Sequence, residues 1–109
     1  MILKKADANL NNLKELYIRA FPESERKPFD LMEKNADNGS MEILSLEKED
    51  GEFLGLVITI LYEDKVLIDY FAVDESKRNG GIGGNALKLI SDRYKDSKIF
   101  LEIETPDEK

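Results

Sequence analysis

Seven consecutive residues, Arg78-Asn79-Gly80-Gly81-Ile82-Gly83-Gly84, hold four of the chain's seven glycines and lie where a strand gives way to a helix. Amides at a helix N-terminus have no partners inside the helix, and the aligned peptide dipoles add roughly half a positive charge there. Missing Cβ atoms let anion oxygens approach the backbone, so this turn is suited to a phosphate or pyrophosphate, with Lys77 and Arg78 adding mobile positive charge. The alternative is a flexible turn that carries no ligand. A dinucleotide site is a further reading, because Gly81-Ile82-Gly83-Gly84-Asn85-Ala86 satisfies G-x-G-x-x-G/A and Glu102 follows about 20 residues on. Against it, Asp74 to Gly80 separate the strand from the first glycine of the motif, and no G-K-[ST] follows to make a Walker loop.

The chain contains no histidine and no cysteine. Imidazole proton shuttles, thiolate nucleophiles, disulfides and most transition-metal sites are therefore excluded, and no metal is expected. Acid–base work falls to carboxylates, tyrosines, lysines or water. Alternation through 67–73 places Leu67, Asp69, Phe71 and Val73 on one strand face and Ile68, Tyr70 and Ala72 on the other. A carboxylate within an apolar strand is costly, so Asp69 is either a candidate proton acceptor or the partner of a buried Lys, Arg or backbone amide. Glu102 and Glu104 alternate with Leu101 and Ile103 on the last strand. They reach the same cleft or simply face solvent at an edge. Tyr62, Tyr70 and Tyr94 are expected as packing residues.

The elements that position these residues follow from apolar spacing. Met1 to Lys5 is a short strand, and Leu10, Leu13, Leu16, Tyr17 and Ala20 mark one face of a helix capped near Asp7 and ended by Phe21-Pro22. After the polar loop ESERKPF, Pro28 opens a second short helix carrying Phe29, Leu31 and Met32, which Asn38-Gly39 stops. Met41 to Glu47 and Phe53 to Tyr62 flank an Asp50-Gly51 turn, and Val66 to Val73 follows a turn at Glu63-Asp64-Lys65. Beyond the glycines, Ile82, Ala86, Leu87, Ile90 and Tyr94 form a helical stripe, and Lys98 to Glu104 is the last strand. The order β-α-α-β-β-β-α-β predicts an α/β (α+β) fold, a mostly antiparallel sheet with one parallel βαβ step.

Composition bounds the rest. A chain of 109 residues with 41% apolar and 36% charged side chains is one domain, 1–109, able to bury a core. Sixteen basic against 23 acidic residues leave a net charge of −7, which argues against a nucleic-acid partner. The longest apolar run, Leu54 to Tyr62, falls well short of the ~20 residues that span a bilayer, and MILKKAD lacks the apolar core of a signal peptide. With no cysteine, the expectation is a reducing, cytoplasmic setting and no membrane partner.

The stretch LIDYFAVDESKRNGGIGGNALKLI resembles the coenzyme A-binding segment of the GNAT N-acyltransferases: Arg78-x-x-Gly81-x-Gly83 fits their signature after a strand ending in an apolar-Val-Asp sequence. The upstream order of strand, two helices and three antiparallel strands is similar too. The resemblance implies acetyl-CoA as acyl donor and a small-molecule or peptide primary amine as acceptor. It implies coenzyme A on Arg78, Asn79, Gly80, Gly81, Ile82, Gly83 and Gly84, with the backbone of Phe71, Ala72 and Val73 pairing with the pantetheine arm. Asp69 or Glu104 is the expected catalytic base, acting directly or through water, and acidic Glu23, Glu25 and Asp30 would steer a cationic amine. Family members usually continue with a further helix, more strands and often a tyrosine that protonates the leaving thiolate, so this chain is short at its C-terminus. The rival function is a non-catalytic coenzyme A-binding or assembly module. An exposed last strand carrying Ile99, Phe100, Leu101 and Ile103 predicts a homodimer.

Overall fold

The computed structural model describes residues 1–77 and 80–101. Its elements are β1 (Ile2–Lys5), α1 (Leu10–Ala20), α2 (Phe29–Asp37), β2 (Met41–Glu47), β3 (Phe53–Tyr62), β4 (Lys65–Val73), α3 (Ile82–Arg93) and β5 (Lys98–Leu101), with short 3-10 turns at Glu23–Glu25 and Glu75–Lys77. Among the described residues the strands form one sheet in the order β1-β2-β3-β4-β5. The first four are antiparallel to their neighbours, and β5 returns through α3 to pair parallel with β4. This is the α/β arrangement expected from the apolar spacing.

Helices cover both faces. On one, Leu13, Leu16 and Tyr17 of α1 and Met32 of α2 pack on Met41, Ile43, Leu56, Ile58 and Tyr70 of the sheet. On the other, Ala86, Ile90 and Tyr94 of the α3 segment pack on Leu44, Leu46, Leu54, Val57, Val66 and Ile68. Sheet residues buried on both sides explain why β2 and β3 read as continuous apolar runs.

Three expectations are corrected at this level. The cap of α1 is Asn9 and not Asp7, and its side chain makes no capping bond. Its amide donates instead to Glu47 Oε2 at 3.0 Å and to the Gly51 carbonyl at 2.9 Å, which ties the helix start to the β2–β3 hairpin. Alternation in β4 also fails. Ile58 pairs with Tyr70 and Thr59 with Ile68, so Asp69 is the extra residue of a β-bulge. Val66 and Ile68 consequently face α3, whereas Tyr70 and Ala72 face α1 and α2. Tyr62 is a third difference: at 66% exposure it is not a packing residue.

Candidate functional site

The C-terminal half of β4 lies in a distinctive position. The described part of β5 pairs with β4 only from Lys65 to Ile68, so 69–73 keep β3 on one edge and no described strand on the other. Beside this segment is a groove of about 420 Å³ lined by Ala20 and Phe21 of α1, Phe71, Ala72 and Val73 of β4, and Gly83 of α3. Groove volume and a largely apolar lining suit a small organic ligand. A larger hollow of about 560 Å³ lies at the opposite ends of the strands, lined by Lys5, Glu33, Met41, Glu42 and Leu61 among others, and touches none of the glycines of the turn before α3.

Glycine sets the shape at two levels. Gly80 and Gly81 have φ of +85° and +75°, the left-handed region that side chains disfavour, and Gly81, the cap of α3, has no side chain of its own to satisfy the first-turn amides. Among the described residues, a Cβ on Gly80, Gly81, Gly83 or Gly84 would meet no atom within 4 Å apart from neighbouring backbone of its own turn. Packing against the described residues therefore does not require these glycines, and none of those residues fills the space over the helix start. Gly55 on β3 is the reverse case, since its Cβ would lie 2.5 Å from the Ala72 carbonyl oxygen and 3.1 Å from Val73 Cα. Only glycine lets β3 approach β4 this closely at the groove.

Polar contacts hold the chain between β4 and the glycines. Asp74 Oδ1 accepts hydrogen bonds from the Ser76 amide and hydroxyl at 2.9 and 2.7 Å, which hold its carboxyl below the usual carboxylate range. The Asp74 amide donates to the Leu54 carbonyl at 2.8 Å. Arg19 of α1 reaches Glu75 at 2.9 Å and Asp74 at 3.5 Å, and Lys77 is ion-paired with Glu52. These pairs fasten the start of the loop to α1 and to the β2–β3 hairpin.

Asp69 is held by the α1–α2 loop. Its Oδ2 is 2.6 Å from Lys27 Nζ, with the carboxylate side chain 11% exposed and the lysine 44%. The Tyr70 hydroxyl donates to the Glu25 carbonyl at 2.6 Å and accepts from the Lys27 amide at 3.1 Å, while the Tyr17 hydroxyl donates to the Lys27 carbonyl at 2.8 Å. Burial first, then the Tyr70 hydroxyl, pushes the Tyr17 phenol far above its ordinary range. Arg26 donates to the Ile18 and Phe21 carbonyls at 3.1 and 2.9 Å, closing α1 and fixing the α1–α2 loop beside β4.

The structure thus brings Phe71, Ala72, Val73 and Gly83 together on one groove, with Gly80, Gly81, Ile82 and Gly84 in the turn and first turn of α3 above it. Asp69 lies two residues along β4 and is not among the groove's lining residues. Arg78, Asn79, Glu102 and Glu104 lie outside the described residues. Sequence reasoning missed Ala20, Phe21, Gly55 and Lys27. An apolar pair just before Pro22 was the available signal for the first two, and none marked Gly55.

Comparison with known proteins agrees with this layout. The family model described as Acetyltransferase (GNAT) family matches residues 10–109. A Bacteroides thetaiotaomicron protein assigned to the GNAT family superposes with a TM-score of 0.84 at 21% identity, over 100% of this chain and 64% of that one. A protein from Bacillus halodurans gives a TM-score of 0.75 at 15% identity, over 99% of this chain and 85% of that one. An aminoglycoside 6'-N-acetyltransferase complexed with coenzyme A gives 0.64 at 19% identity, over 87% and 56%. The chain accordingly spans less than two thirds of the length of the first and third of these structures. No curated protein matches the sequence. With the family model covering all but the first nine residues, the chain belongs to the GNAT acetyltransferase family.

Proposed function

We propose that the domain binds acetyl-CoA along β4 and the glycine turn and transfers its acetyl group to a primary amine. The observation that carries this is the groove in which Phe71, Ala72 and Val73 meet Gly83 below a helix start left open by glycine. Coenzyme A is an anionic pyrophosphate on an amide-bearing arm, and the chain offers donors for both: first-turn amides of α3 for the pyrophosphate, and the β4 edge for the arm. Bound acetyl-CoA supplies the activated thioester. Everything else falls to the chain. Phe21 and Phe71 exclude water from the groove, the backbone amide of Phe71 offers a donor to the carbonyl oxygen, and Asp69 or Glu104 accepts the proton that the attacking amine must lose. Exposed Glu23, Glu25 and Asp30 around the α1–α2 loop favour a cationic acceptor.

The absence of cysteine and the use of acyl-CoA support a reducing, cytoplasmic setting. Among the described residues no helix is long and apolar enough to cross a membrane. Thiol release from acetyl-CoA across a panel of primary amines tests the proposal. Amine-dependent release above background is expected; binding of coenzyme A without release would instead support a non-catalytic coenzyme A-binding module.

A further inference from the structure

A primary amine of the chain itself stands beside one of the two candidate bases. Lys27 Nζ is 2.6 Å from Asp69 Oδ2 and 5.4 Å from the centre of the Tyr70 ring. That ring stacks edge-on against Phe21 at 4.9 Å, and Phe21 is a wall of the groove. The Tyr70 and Phe21 rings therefore lie between the lysine nitrogen and the groove, and Asp69, one of the two carboxylates proposed to receive the acceptor's proton, is the one that holds it. The backbone of Lys27 is fixed from both sides, its amide by Tyr70 and its carbonyl by Tyr17. Its side chain is a four-carbon stem at 44% exposure, held at its tip by the Asp69 ion pair, which must open for the nitrogen to reach the groove.

We infer that Lys27 is an acceptor in cis, so that the domain acetylates its own Lys27 when acetyl-CoA is bound and no external amine competes. This rests on the function proposed above. The lysine ammonium gives one proton to Asp69, and through it to water. Its nitrogen then forms a bond to the acetyl carbon as the carbon–sulfur bond breaks, and the second proton leaves with the departing thiolate to give free coenzyme A. The products are one acetamide on Lys27 and one thiol per acetyl-CoA. The acetylated side chain carries no charge, so Asp69 loses its partner and the α1–α2 loop loses one of its ties to β4.

The full chain is incubated with acetyl-CoA alone, and acetylation is followed by intact mass and peptide mapping, with coenzyme A binding measured separately by calorimetry. The expected result is a single acetyl group on Lys27, formed at a rate per molecule independent of protein concentration and suppressed by excess coenzyme A. Addition of a good acceptor amine slows it. Asp69→Asn slows it about tenfold or more, as loss of a positioned base does. If Asp69→Asn does not fold, suppression by coenzyme A in the wild type still separates catalysis from chemical acetylation. Acetyl groups spread over the exposed lysines with Lys27 no faster than the rest would overturn the inference, as would a rate that rises with protein concentration. Coenzyme A binding with no acetyl on Lys27 overturns self-acetylation alone; absence of binding overturns the proposed function with it.

Discussion

At Gly55 a single missing methyl group sets the distance between β3 and β4. Gly55→Ala would push a Cβ to 2.5 Å from the Ala72 carbonyl, and backbone cannot step aside as a side-chain end can. Its expected cost is about 1–3 kcal/mol, read from denaturant midpoints, together with weakened coenzyme A binding because the displaced atoms line the groove. Tyr94 makes the complementary point for a polar group. Its hydroxyl lies 3.0 Å from the fully buried Thr59 Oγ1 and donates to Glu42, which Arg93 also engages at 3.4 Å. Burial, then the Glu42 carboxylate, pushes the phenol up to about 12. Protonated Tyr94 therefore stabilises the fold fully below about pH 10, and this contribution, on the order of 2–3 kcal/mol, is lost as pH rises toward about 12. Tyr94→Phe should lower stability at neutral pH by about 1–3 kcal/mol through the orphaned Thr59 hydroxyl and flatten the alkaline decline seen in unfolding titrations. An equally steep decline in the variant would remove Tyr94 as its cause.

Among the elements, α3 shows a conflict between fold and function that points to a ligand. Gly83 and Gly84 occupy its first turn, where each costs about 0.5–1 kcal/mol of helix stability relative to alanine, and open space surrounds both. Gly83→Ala is thus expected to raise the stability of the unliganded domain by that amount; a lower melting temperature would mean that the glycine serves the fold itself. The order and bounds of the elements were legible because apolar spacing is set by burial on two sheet faces, and β2, β3 and the helices agree with it to within a residue or two. The glycine turn was legible for the same reason that it is costly. What stayed hidden was long-range. The bulge at Asp69 depends on how β3 and β4 register, so local alternation assigned Tyr70 and Ala72 to the face of Ile68, which they do not share. Asn9, the cap of α1, makes no side-chain capping bond and instead donates to Glu47, 38 positions away, a contact local sequence cannot show. Lys27 opposite Asp69 is a contact across 42 positions, for which no sequence spacing gives a sign.

On the scale of the whole molecule, β5 stands at the edge of the sheet formed by the described residues, paired there with β4, and Phe100 and Leu101 are 49% and 41% exposed. We propose that two copies associate through this edge, burying on the order of 1,200–2,000 Å² in total. Sedimentation at micromolar concentration should show a dimer that Phe100→Glu disperses, and a 12.4 kDa monomer throughout would contradict it. The central claim concerns the other end of β4, where α1, β4 and α3 converge on the groove. Calorimetric titration of coenzyme A into the wild type and Gly83→Val tests it most directly, since Gly83 lines the groove and a Cβ there meets none of the described residues outside its own turn. The account predicts saturable binding by the wild type and its loss in the variant, with the variant folded and at least as stable. Equal affinity in both proteins, or no binding by the wild type, would contradict it.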